Sequence, residues 1–130
     1  MDPQSLVQWI AESAKESEHL LNATLEYKGK GYGWEGLGRV IIVHALQKKG
    51  IEVLIRNKGP DLKFLDMEYE LKFLVEPSIH WLEKGLKYAG IDCLFFGPSD
   101  FEFIGSRINL AHSSRINEKW IVGIIKNKKK

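Results

Sequence analysis

The run Ile91-Asp92-Cys93-Leu94-Phe95-Phe96 constrains this chain most. A stretch this apolar reads as a central strand buried on both faces. Gly90 stops a helix just before it, expected from Ile79 to about Ala89, with Trp81, Leu82, Leu86 and Ala89 apolar. Ahead of that helix, Met67 to Val75 reads as a strand. Met67, Tyr69, Leu71 and Phe73 share one face, and Asp66, Glu68, Glu70 and Lys72 share the other, because strand side chains alternate. A helix joining two such strands implies a right-handed parallel crossover, and so an α/β fold.

The flanking segments extend this frame. Asp2-Pro3 opens a helix whose apolar positions Leu6, Trp9, Ile10, Leu20, Leu21 and Leu25 carry it to about Glu26. Three glycines in Lys28-Gly29-Lys30-Gly31-Tyr32-Gly33 make a loop. A second helix is expected from Trp34 to about Lys49, with Leu37, Val40, Ile41, His44 and Ala45 as its apolar stripe and Gly50 ending it. Short strands follow at Ile51–Arg56 and Leu62–Leu65, separated by the turn Asn57-Lys58-Gly59-Pro60. Beyond the central strand, Phe101–Ile104, Arg107–Leu110 and Trp120–Ile125 read as strands closing or flanking the sheet.

At 130 residues the chain is expected to be one domain, and 44% hydrophobic residues with 11% aromatics make it globular. The net charge is only +2, and Lys126, Lys128, Lys129 and Lys130 form a basic tail; without it the body is slightly acidic. Bulk charge therefore does not demand a nucleic-acid partner. The single cysteine, Cys93, reads as a core thiol in a reducing compartment. With no apolar run near 18 residues, the chain is expected to be cytoplasmic.

One set of residues points to chemistry. Asp61 follows Gly59-Pro60 at a turn, and Glu70-Leu71-Lys72 lies on the next strand, where Glu70 and Lys72 point the same way. An acid at a turn with an acid and a lysine on a strand can bind a divalent metal and position a water, which is one way to hydrolyse a phosphodiester. Glu35 begins the preceding helix. Each residue also has an ordinary reading: Asp61 as a turn former, Glu35 as a first-turn acid favoured by the helix dipole, and Glu70 and Lys72 as part of a solvated strand face.

The element order from Trp34 to Phe96, with Lys28-Gly29, Glu35, Gly50-Ile51-Glu52-Val53, Arg56, Pro60-Asp61 and Glu70-Leu71-Lys72, resembles the PD-(D/E)XK nuclease superfamily. Within it, the chain is most similar to archaeal Holliday-junction resolvases, over about residues 28 to 97. The resemblance implies a restriction-endonuclease-like core (αβββαβ), a mixed central sheet flanked by helices, with an extra N-terminal helix and C-terminal strands added here. It implies a magnesium-dependent nuclease acting on DNA, with manganese as a substitute; a homodimer is expected because one compact domain covers only one strand's cleavage site. Asp61, Glu70 and the carbonyl of Leu71 would be metal ligands, Lys72 would sit beside the attacking water, and Glu35 would orient a metal-bound water or bind a second metal. The family buries this strand, so Asp66 and Glu68 either lie at its exposed start or make the face a wet one. Phe73-Leu74-Val75 replaces the polar or basic residues that resolvases carry after this motif.

Other features read more plainly. His44 is expected in the core, and His19, His80 and His112 show no zinc spacing. The glycine segment follows a helix and lacks a Gly-Lys-Ser/Thr ending, which excludes a nucleotide-binding loop. Lys28, Lys30 and Tyr32 there, and Lys84 and Lys87 on the polar face of the third helix, are candidate nucleic-acid contacts. Trp34, Trp81 and Trp120 read as core. The alternatives to a DNA nuclease are a non-catalytic nucleic-acid-binding or protein-interaction module on the same fold, and an RNA-processing endonuclease.

Overall fold

A computed structural model describes residues 1–26, 34–56, 58–75, 79–100 and 109–127. Its elements are α1 (Pro3–Ala14), α2 (Glu18–Glu26), α3 (Trp34–Gln47), β1 (Leu54–Ile55), β2 (Leu62–Phe64), β3 (Met67–Phe73), α4 (Ile79–Lys84), β4 (Asp92–Pro98), β5 (Asn109–Arg115) and β6 (Trp120–Lys126). The six strands form one mixed sheet in the order β1-β2-β3-β4-β6-β5. The pair β3 and β4 is parallel, with Glu70 beside Cys93 and Lys72 beside Phe95. The other neighbouring pairs are antiparallel. The chain is thus α/β, and no described helix is long and apolar enough to cross a membrane.

Strand alternation sorts the core into two layers. Leu71, Phe73, Leu94, Phe96, Val122 and Ile124 face α1 and α3, packing on Leu6, Val7, Ile10, Ile41, Ile42, Ala45 and Leu46. Cys93, Phe95 and Ile125 face the other way, with Leu74 and Leu82. From Cys93 to Pro98, β4 is buried throughout, as expected of a strand covered on both faces. Two glycines permit close helix packing. A Cβ on Gly38 would lie 3.1 Å from the rings of Phe73 and Phe96, and one on Gly85 would lie 2.7 Å from Cys93 Sγ.

Several boundaries differ from the sequence expectation. The first helix is interrupted by a 3-10 turn at Lys15–Ser17, within a stretch from Lys15 to Leu20 where no side chain is buried and packing does not hold the helical register. The stripe of α3 is Gly38, Ile41, Ile42, Ala45 and Leu46. Val40 is left exposed, and His44 points outward to Glu16 at 3.4 Å instead of into the core. The strand expected at Ile51–Arg56 shrinks to Leu54–Ile55, an exposed edge. The third helix ends at Lys84, not near Ala89, because Gly85 abuts the sheet and the chain tightens there: its amide reaches the carbonyl of Leu82. Of the strand expected at Arg107–Leu110, residues 107 and 108 lie outside the described residues; β5 continues past Leu110 to Arg115, with an irregularity at Ala111 and with His112, Ser113 and Ser114 paired to β6 despite their weak strand preference. The strand expected at Phe101–Ile104 lies outside the described residues.

The β2–β3 hairpin closes through Leu65 and Asp66, both at positive φ (50° and 58°), between the paired residues Phe64 and Met67. Two-residue turns of this kind favour Asn-Gly, and an L-residue such as leucine is strained there. Replacing Leu65-Asp66 with Asn-Gly should stabilise the protein by about 1 kcal/mol, roughly 3 °C in thermal melting. An unchanged or lower melting temperature would show that the turn is not strained.

Candidate functional site

The residues singled out in the sequence come from three elements. Asp61 ends the turn before β2, in register with Glu70 of β3, since Leu62 pairs with Tyr69. Its carboxylate Oδ2 accepts a hydrogen bond from the Leu71 amide at 2.9 Å. That bond fastens the turn to the strand beside Glu70. Glu70 is 2% exposed, the only carboxylate among the buried polar side chains of the described residues. Lys72, two residues on, lies on the same face and is half-buried. Its aliphatic stem passes Gly85, where an added Cβ would meet Lys72 Cγ at 3.0 Å.

Burying a carboxylate is costly, and the protein offsets that cost in two ways. Burial, reinforced by the neighbouring Asp61 carboxyl, pushes Glu70 up to about 7, so that it holds a proton through weakly acidic conditions. Lys87 opposes the shift: its Nζ lies 3.2 Å from Glu70 Oε2. That ion pair is not aligned as a hydrogen bond, and Oε2 has no other donor. The contact with Glu70 in turn holds the Lys87 ammonium in its charged form. Lys87 was a candidate nucleic-acid contact; its side chain is 56% exposed, yet its ammonium lies against the buried carboxylate.

Glu35, in the first turn of α3, is half-buried. Burial raises its pKa and Asp61 adds to the rise, while Lys72, Arg39 and Lys87 oppose it. Glu35 therefore shares an electrostatic neighbourhood with Asp61, Lys72 and Lys87. Among the described residues, however, no three His, Cys, Asp or Glu side chains converge closely enough to hold a metal ion. The close carboxyl pair is Asp61 and Glu70, and Glu35 stands outside it.

The remaining candidates separate. Glu68 lies near the exposed start of β3 and pairs with Arg56 at 2.8 Å, and Asp66 is an exposed turn residue. The charged face is thus dry at Glu70 and wet only at its beginning. Lys84 lies over the indole of Trp81, 4.6 Å from its centre. Trp81 itself is 51% exposed and not core, whereas Trp120 is fully buried. Spacing on the third helix could not distinguish the two faces once the helix ended early. Lys28, Lys30 and Tyr32 lie outside the described residues. Arg39, which the sequence reading passed over, reaches Glu35 electrostatically; its place one turn along α3 from Glu35 was the available signal.

No family model matches the chain, and no curated protein or solved structure matches it.

The Glu70 shift makes a signed prediction for metal-free protein. Between its ordinary 4.5 and about 7, folded Glu70 keeps a proton that the unfolded chain releases. The associated stability is complete below the ordinary value and is lost as pH rises through 7. Glu70→Gln stays neutral, so it should match wild type near about pH 5 and exceed it near about pH 8, by on the order of 2 kcal/mol. Denaturant unfolding in a chelator at both pH values measures this; an equal difference at both would contradict it.

Proposed function

We propose that this chain is a metal-dependent nuclease with a restriction-endonuclease-like core, hydrolysing phosphodiester bonds in DNA. One observation carries the reading: a buried carboxyl, Glu70, is held beside a second, Asp61, with the Lys72 side chain on the same strand face. Purely structural strands rarely bury a glutamate, and strongly shifted carboxyls concentrate at functional sites. The element order α3, β1, β2, β3, α4, β4 supports the same architecture.

The donor set fits magnesium, which takes one or two carboxylates and otherwise water and phosphate oxygens. Asp61 and Glu70 would hold the ion, and when bound it supplies charge neutralisation and a more acidic water. The Leu71 amide holds Asp61 Oδ2 across the strand beside Glu70. Holding the ion would require Glu70 to give its proton to solvent, and would free Lys87 to meet a phosphate oxygen. Lys72 extends from the same face, where its ammonium would steady charge developing on the scissile phosphate. Glu35, whose pKa burial raises against the pull of Lys72, would orient a water at the site. A homodimer would let two such sites act on two strands.

The Lys87–Glu70 pair favours one alternative: a non-catalytic nucleic-acid-binding module, in which a built-in ammonium stands where a metal would otherwise be needed. A panel of duplex, single-stranded, flap, four-way-junction and RNA substrates, with and without magnesium, distinguishes the two. The nuclease reading expects magnesium-dependent cleavage that falls about 100-fold or more in Asp61→Asn, Glu70→Gln and Lys72→Met. Metal-independent binding without cleavage of any substrate would favour the module instead.

A further inference from the structure

Among the large apolar side chains that the described residues leave exposed, Trp81 is the one aromatic. Its neighbour Leu82 is fully buried, and Gly85 abuts the sheet, so the turn of helix between them directs the indole outward. The ring is surrounded by positive or ionisable nitrogen. Lys84 Nζ is 4.6 Å from its centre, Lys72 Nζ is 5.9 Å away, and the His80 ring is 6.2 Å away. Glu83 is the one acid in α4. Lys72 connects this surface to the candidate site, because one side chain runs from β3, past Gly85, to the indole.

A flat apolar ring rimmed by ammonium groups suits a ligand with a flat π-face and a negative charge one side chain away. A nucleotide has that form. The lysines are flexible ends, so a base can replace them on the indole while they turn to the adjoining phosphates. Paired bases in a duplex interior are stacked on each other and offer no free face; an unpaired base does.

We propose that Trp81 is a stacking platform for an unpaired nucleobase, flanking the phosphate that reaches Lys72. The position of that phosphate rests on the nuclease reading above, whereas the stacking itself does not. The substrate class is therefore a strand with unpaired bases: single-stranded, flapped or bulged nucleic acid, as DNA or RNA.

The test is binding by the full chain in a chelator, so that no cleavage intervenes, read by fluorescence anisotropy of labelled oligonucleotides. The probes are single-stranded DNA, single-stranded RNA and a blunt DNA duplex. Wild type should bind at least one single strand more tightly than the duplex. Trp81→Ala should weaken that binding about ten-fold or more and leave the duplex within about two-fold, while Trp81→Phe, which keeps a ring, should retain most of it. The DNA and RNA probes show which sugar is preferred. Equal single-strand affinity in wild type and Trp81→Ala would overturn the proposal, as would equal losses on single strand and duplex, or no binding to either single strand. Tight, Trp81-dependent binding with no magnesium-dependent cleavage would uphold the platform and remove only the nuclease reading.

Discussion

Glu70 is a carboxyl group held out of water on a strand, and much of the surrounding arrangement answers to it. A buried carboxyl must be neutral, or opposed by positive charge, or both. Here burial and Asp61 drive it toward the neutral form, with its pKa near 7, while Lys87 reaches in from beyond α4 to oppose them. The balance leaves Glu70 near its switching point at neutral pH. Positive charge added beside it would favour its ionised form.

The fold makes this possible through two close approaches. Gly85 lets α4 lie against Cys93 and the stem of Lys72, where any larger residue would push the helix off the sheet. The Leu71 amide, beyond the last strand pair of the β2–β3 hairpin, is taken up by Asp61 instead of by a neighbouring strand. One carboxylate thus completes the backbone pairing of β3 and also sits beside Glu70. The continuation of the chain after α4 is held by Asn127, whose side chain donates to the carbonyls of Leu86 and Tyr88. Its backbone amide donates to Asp92 at the start of β4. The segment bearing Lys87 is therefore fastened at its far end to the sheet.

Sequence alone was a good guide where periodicity and burial agree. The buried run of β4, the alternation of β3 and the helix between them led to the parallel pair, and spacing alone put Glu70 and Lys72 on one face. It was a poor guide where a tertiary contact overrode local preference. The stripe of α3 was misplaced at Val40 and His44, because Gly38, not a bulky residue, marks the side that touches the sheet. The early end of α4 depends on Cys93, a distant residue, and with it went the burial of Trp81. β5 runs on past Leu110 because His112, Ser113 and Ser114 follow their partner strand and not their own propensity. The burial of Glu70 was legible only as one of two alternatives: Asp66 and Glu68 could mark an exposed start or a wet face, and the fold shows that the wetness stops before Glu70. The role of Lys87 depends on the same early helix end.

On the proposed function, Asp61 and Glu70 are a pair of carboxyls that share one divalent cation. Crystals of the full chain soaked in manganese chloride, with anomalous diffraction recorded near the metal edge, test this most directly. The expected result is one strong peak between the two carboxyl groups, with the Lys87 ammonium moved away from Glu70. No peak there, with Lys87 still paired to Glu70, would contradict it.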